Sequence, residues 1–191
     1  MSLFYKLSIL MGAVVVASNY LVQFPIKHFG LSEILTYGAF SYPITFLITD
    51  LANRAYGKFV ARKVVFIGFI IGILLTLLVS TNFEDIISIR IAIGSGVAFF
   101  VAQNLDVQVF DKLRKKIWYI APLISSLLGS ITDTFLFFSI SFYSTGISWV
   151  TLALGDLAVK LLISIIMLIP FRILINKIKD YSTNTASQAK F

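Results

Sequence analysis

Cysteine is absent from the chain, so it can form neither a disulfide framework nor a thiolate metal site. Histidine occurs once, as His28 beside Lys27. With no cluster of acids or further histidines around it, it reads as a solvated interfacial side chain and not as a metal ligand. No glycine-rich phosphate loop is present. Charge of either sign is scarce: Asp, Glu, Lys and Arg make up 13% of the residues, against about one quarter in a soluble domain. Apolar sequence fills their place, at 58% of residues and a mean hydropathy of +0.92. Twenty uncharged residues separate Lys6 from Lys27, and twenty more separate Lys63 from Glu84. Each run is about the length a helix needs to cross hydrocarbon. The runs are continuous and not alternating, which excludes a closed barrel. The first continues past the small residues Ala13–Ser18 to Ile26 with no polar sequence after it, so it reads as a spanning helix and not as a cleaved signal peptide.

The fold class expected is an all-α integral membrane protein with six transmembrane helices, at about 5–25, 33–54, 63–81, 88–110, 117–142 and 151–175. These belong to one domain over residues 1–179, followed by a disordered polar tail at 180–191. Basic residues set the direction. Arg54, Lys58, Arg62 and Lys63, then Lys112, Arg114, Lys115 and Lys116, then Arg172, Lys177, Lys179 and Lys190 fall on one side, twelve of the sixteen. The positive-inside rule puts that side, and both termini, in the cytoplasm. The net charge of +7 therefore reports topology and not nucleic-acid binding.

Several polar residues sit where apolar ones are cheaper. Asp50 and Arg54 share a helix face and read as an ion pair ending helix 2, or as a gate. Asp156 and Lys160 have the same spacing in helix 6. Asp133 lies deep in helix 5, where an unpaired Asp costs on the order of 3 kcal/mol. It shares a small polar stripe with Ser126, Gly129 and Ser130, so it is expected to face the bundle or a hydrated cavity, opposite Lys160, Arg90 or a ligand. Asn19 and Gln23 in helix 1, with Gln103, Asn104 and Asp106 in helix 4, add amides and an acid that suggest a polar chamber. Phe99, Phe100, Phe135, Phe137, Phe138 and Trp118 are candidates to stack on a flat ring.

Two short matches hint at duplication. NYLVQF is echoed by NLDVQVF 85 positions on, and ITD recurs after 83. A 3+3 inverted repeat is one reading, chance likeness of apolar segments another. Enzymatic chemistry has little support: ALGD at 153–156 echoes the Gly-x-Gly-Asp of intramembrane aspartyl proteases, but Ala153 replaces the first glycine. The protein is expected not to be an enzyme and to need no cofactor.

The blocks NYLVQFPIKHFG, TYGAFSYPITFLITDLANRAYG, ARKVVF, AQNLDVQVFDKLR and WYIAPLISSLLGSITDTFLFFSISFY, in this order and without interrupting insertions, resemble the bacterial queuosine precursor transporter family, also called vitamin uptake transporter-like. The likeness runs from about residue 19 to 171. It implies a six-helix carrier of the bacterial inner membrane that imports 7-deazaguanine bases: 7-cyano-7-deazaguanine, 7-aminomethyl-7-deazaguanine or queuine. Such a base presents N1–H and an exocyclic amine side by side, which a carboxylate accepts as a pair, while its carbonyl needs an amide donor. On that basis Asn19, Gln23, Gln103, Asn104, Asp106, Asp133 and Lys160 are the expected substrate contacts, and Asp50, Arg54 and Asp156 the gate or structural pairs. Alternating access around a midplane site is the expected mechanism. The alternative is a substrate-binding component of an energy-coupling-factor vitamin importer, for which Ala13 and Ala17 form a small-residue docking pair. Small residues in helices 1, 5 and 6 leave a homodimer open.

Overall fold

The computed structural model describes residues 3–26, 35–80 and 83–178. His28 with Lys27, and the tail expected at 180–191, lie outside them. The described residues form eight α-helices and no strands: α1 (Leu3–Leu21), α2 (Gly38–Ser41), α3 (Ile44–Tyr56), α4 (Lys58–Leu75), α5 (Ile86–Leu113), α6 (Ile120–Phe142), α7 (Trp149–Ile166) and α8 (Leu168–Ile175). A π-helical turn, Thr76–Ser80, continues α4. Five stretches have the length and apolarity to cross a membrane: Leu3–Leu21, Lys58–Leu78, Ile86–Leu113, Ile120–Phe142 and Trp149–Ile175. This is a multi-pass, all-α membrane protein.

Two expected helices are broken, each at a proline. The segment expected as one helix over 33–54 is a short turn, α2, and then α3, with Tyr42 and Pro43 between them. Proline lacks the N–H that would extend α2, and its fixed φ suits the residue that starts a helix. The thirteen residues of α3 reach only about 20 Å, short of a hydrocarbon core of about 30 Å. In the last span Pro170 cannot donate to the Ile166 carbonyl, and the helix parts at Met167 into α7 and α8. By contrast α5 runs unbroken for 28 residues and takes in Asp111, where a loop was expected.

Gly57 makes the connection from α3 to α4 a single residue, with φ 79° and ψ 172°, a backbone region where a side chain is strained. Small residues also let helices close up. Gly12, Gly68 and Gly72 seat α1 against α4 beneath Met11, Val15 and Ile71. At Gly129 the ring of Phe46 lies against the bare backbone, so α3 and α6 cross there in close contact. Tyr42 and Asp133 meet on one side of this crossing, Asp50 and Ser125 on the other. The two Ile-Thr-Asp triplets thus lie one turn beyond the crossing in opposite directions, and their acids serve different depths.

Candidate functional site

Asp133 points inward, as its place on the small polar stripe of α6 requires. Tyr42 Oη donates to its Oδ1 (2.6 Å), and Lys160 Nζ donates to its Oδ2 (2.9 Å). Lys160 also pairs with Asp156 (2.6 Å), one turn earlier on α7, and reaches Thr134 Oγ1 (3.3 Å), while the Thr134 hydroxyl donates to Asp156 (2.9 Å). The ammonium stands 4.7 Å from the centre of the Tyr42 ring, a cation–π distance. All five residues are buried. The three donors of the lysine thus meet three oxygens, and two carboxyl groups share one cation, a formal charge of one negative.

A void borders this cluster, lined by Ser18, Asn19, Val22, Gly38, Tyr42, Ser95, Asp133, Phe137, Asp156 and Lys160. Its unfilled space is about 340 Å³, of which the centre of a water molecule can reach about 30 Å³. That holds a water or two, and a bicyclic base enters only when the walls move. On the α1 side the Asn19 amide donates to Thr76 Oγ1 (2.9 Å) in the π turn and accepts from Ser95 of α5. Ser18 and Ser41 share a hydrogen bond of 2.8 Å.

Of the residues expected at the site, Asn19, Asp133, Asp156 and Lys160 are brought together here. Gln103 is fully buried but turned to α3, where it donates to Thr45 Oγ1 (2.8 Å) and accepts from Thr49. Gln23 is exposed, and its amide donates to the Asn19 carbonyl (3.5 Å). Asn104 donates back to the Phe100 carbonyl of its own helix (2.8 Å). Asp106 lies away from the void, against Asp50. The hydrogen bonds of the Asp50 carboxylate come from Ser125 and Ser126; Arg54 is half-buried in the last turn of α3. Arg90 bonds the carbonyls of Ile140 (2.8 Å) and Tyr143 (2.8 Å), closing the C-terminal end of α6. Among the aromatic candidates Phe137 reaches the void, while Trp118 lies under Arg172.

Tyr42, Thr134, Ser18 and Ser95 were not expected at the site. The one signal for Tyr42 was its place before Pro43 inside an apolar segment, which marks a break where a side chain can turn inward.

Residues 36–175 match the family described as "Putative vitamin uptake transporter". The chain belongs to this family of membrane transporters. It is 35% identical to the "Queuosine precursor transporter" of Escherichia coli strain K12, over 97% of the chain and 94% of that protein. It is also 35% identical to the "Probable queuosine precursor transporter" of Haemophilus influenzae, over 82% and 79%, and 29% identical to that of Bacillus subtilis, over 87% and 84%. No solved structure matches the chain. These relatives are named as transporters, so the buried acids and lysine belong to a family that moves a solute.

Proposed function

We propose that the protein imports a queuosine precursor, a 7-deazaguanine base, through the void bordered by Asp133, Lys160 and Tyr42. The observation that carries this reading is a buried ion cluster facing a cavity inside a helix bundle whose relatives carry that transporter name. Intramembrane charges are expensive and are kept where they meet a solute. The paired N1–H and amine of the base compete for Asp133 with its present donors, Tyr42 and Lys160. Released from the acid, the Tyr42 hydroxyl or the Lys160 ammonium is free to turn to the base carbonyl, and Phe137 offers a ring face.

The cavity is too small for the base in this conformation, which supports alternating access: the wall formed by α2, Tyr42 and α7 opens to admit the base and closes behind it. The basic residues of the α3–α4 connection, the α5–α6 turn and the C-terminal stretch support an inner-membrane orientation with both termini in the cytoplasm. The net negative charge of the cluster favours a cationic guest, so 7-aminomethyl-7-deazaguanine, which carries an ammonium, is the preferred base.

A second reading, a substrate-binding component of an energy-coupling-factor importer, draws on Ala13 and Ala17, which are both exposed on the outer face of α1. Purified protein in liposomes decides between the two. Saturable uptake of labelled 7-aminomethyl-7-deazaguanine without any other protein supports a self-sufficient carrier. Binding without uptake supports the importer component, and absence of binding removes both.

A further inference from the structure

A second polar centre lies about 12 Å from the first, the rise of α6 between Ser125 and Asp133. Two acids from two helices form it. Asp50 of α3 is 2% exposed and accepts hydrogen bonds from Ser125 Oγ (3.1 Å) and Ser126 Oγ (3.3 Å) of α6. Asp106 of α5 is 0% exposed and lies against the Asp50 carboxyl and the Ser125 hydroxyl. Neither of its oxygens has a hydrogen-bond donor among the described residues.

Among the described residues Asp106 is the charged side chain set beside Asp50, and the ion pairs these residues give engage Asp111, Asp133 and Asp156, not these two. From α6 the acids face the hydroxyls of Ser125 and Ser126. Along their own helices, Arg54 follows one turn after Asp50, and Asp111 and Arg114 follow Asp106. Arg114 bonds Asp111 (3.2 Å) and the Asn53 carbonyl (2.8 Å). Toward α7 and α8 the surroundings of Asp50 are Ser164, Met167, Leu168 and Phe171, around a void with about 10 Å³ open to the centre of a water molecule, space for a single water.

Two carboxylates in contact, both ionised and both cut off from solvent, repel each other and leave Asp106 without a donor. A single proton answers both deficits. It removes one of the charges, and as an O–H on one carboxyl it donates to the other. A metal cation would have to stand between the acid oxygens, whereas the open space adjoins Asp50 and not Asp106.

We propose that Asp50 and Asp106 together hold one exchangeable proton, and that this pair is the coupling-ion site of the transporter, separate from the base site at Asp133 and Lys160. The pair gains its proton from water and gives it back to water, through the one-water void beside Asp50 on the side of α8. The helix that carries Ser125 and Ser126 to the acid pair also carries Asp133 to the base, so a shift of α6 is felt at both centres. The coupling role rests on the transport reading above; the shared proton does not.

Two measurements on the full-length protein test this. In the first, difference infrared spectra of purified protein titrated with acid and base are compared between wild type and D106N. A protonated-carboxyl C=O band in wild type that is lost in D106N supports the shared proton, and its absence from wild type overturns it whether or not any base binds. In the second, liposomes are loaded under a proton gradient and supplied with labelled 7-cyano-7-deazaguanine, whose neutral side group leaves charge movement to the coupling ion. One proton per base gives up to about tenfold accumulation for each pH unit. Wild type accumulates the base, whereas D50N and D106N lose accumulation yet still exchange internal for external base. Accumulation that ignores the proton gradient, that follows a sodium gradient, or that persists in D106N overturns the coupling role. If wild type neither binds nor exchanges a deazaguanine, the transport reading falls, and the infrared band still decides on the proton.

Discussion

Lys160 has no spare donor: its three N–H groups meet Asp133, Asp156 and Thr134. Removing the ammonium leaves two buried acids facing each other, and breaking a buried pair from one side costs about 3–5 kcal/mol. K160M should therefore melt well below wild type in detergent, and adding D156N should recover part of the loss; equal melting of K160M and wild type would show the cluster is not holding the fold. Y42F is expected to act the other way on binding. It leaves Asp133 Oδ1 buried without its donor, a cost of about 1–3 kcal/mol in stability, but frees that oxygen for the base; with Lys160 still able to meet the base carbonyl, the dissociation constant should fall while the melting temperature drops. D133N should abolish most base uptake while the protein still inserts in the membrane, as judged by uptake per inserted molecule; normal uptake would take Asp133 out of the base site. At this scale the sequence marked the costly residues well. Asp133 and Lys160 stood out because hydrocarbon does not tolerate unpaired charge. Tyr42 did not, since a phenol in an apolar segment reads equally well as packing. Gln103 shows the converse: its chemistry suited the site, but the register of α5 against α3 turned it to Thr45 and Thr49, and no pattern within one helix reveals that.

The α3–α6 crossing organises both polar centres. Its closeness depends on Gly129, whose missing side chain is the space the Phe46 ring occupies. G129A forces that ring aside, an overpacking cost of about 1–3 kcal/mol, and it should impair transport through both centres at once while leaving each ion pair chemically intact. The double variant F46L/G129A, with the bulk returned, should restore melting temperature and uptake together; failure to restore either would show that the crossing distance is not what matters. The apolar runs were legible as spans because length against bilayer thickness is a simple ratio. The breaks at Pro43 and Pro170 were not read from the sequence, although the proline chemistry that makes them is local. Membrane helices often absorb a proline by bonding to neighbours, so its effect depends on packing.

For the molecule as a whole, the two centres differ in make-up. One has two acids and a lysine, the other two acids that join no ion pair among the described residues. The first should favour a cationic base over a neutral one of the same shape. A charge-assisted hydrogen bond contributes about 1.5–3 kcal/mol, roughly tenfold to a hundredfold in affinity. Competition of 7-aminomethyl- against 7-cyano-7-deazaguanine for the detergent-solubilised protein checks this, and equal affinities would show that the net charge is silent. The overall plan, an α-helical bundle with a polar interior, was legible from composition and from the acids and amides set inside the apolar runs. The separation of that interior into two centres was not, because it follows from how far apart α6 holds Ser125 and Asp133.

The buried residues of α7 are Asp156, Lys160 and Ser164, a seam of polar groups with no greasy side chain among them. The half-buried Trp149, Leu152, Ala153 and Val159 pack this helix against its neighbours, while its most buried face is held by the ionic clasp at which the guest is proposed to bind. On the proposed reading, loading and unlatching are one event: a guest that takes Asp133 from the lysine also loosens the wall that confines it.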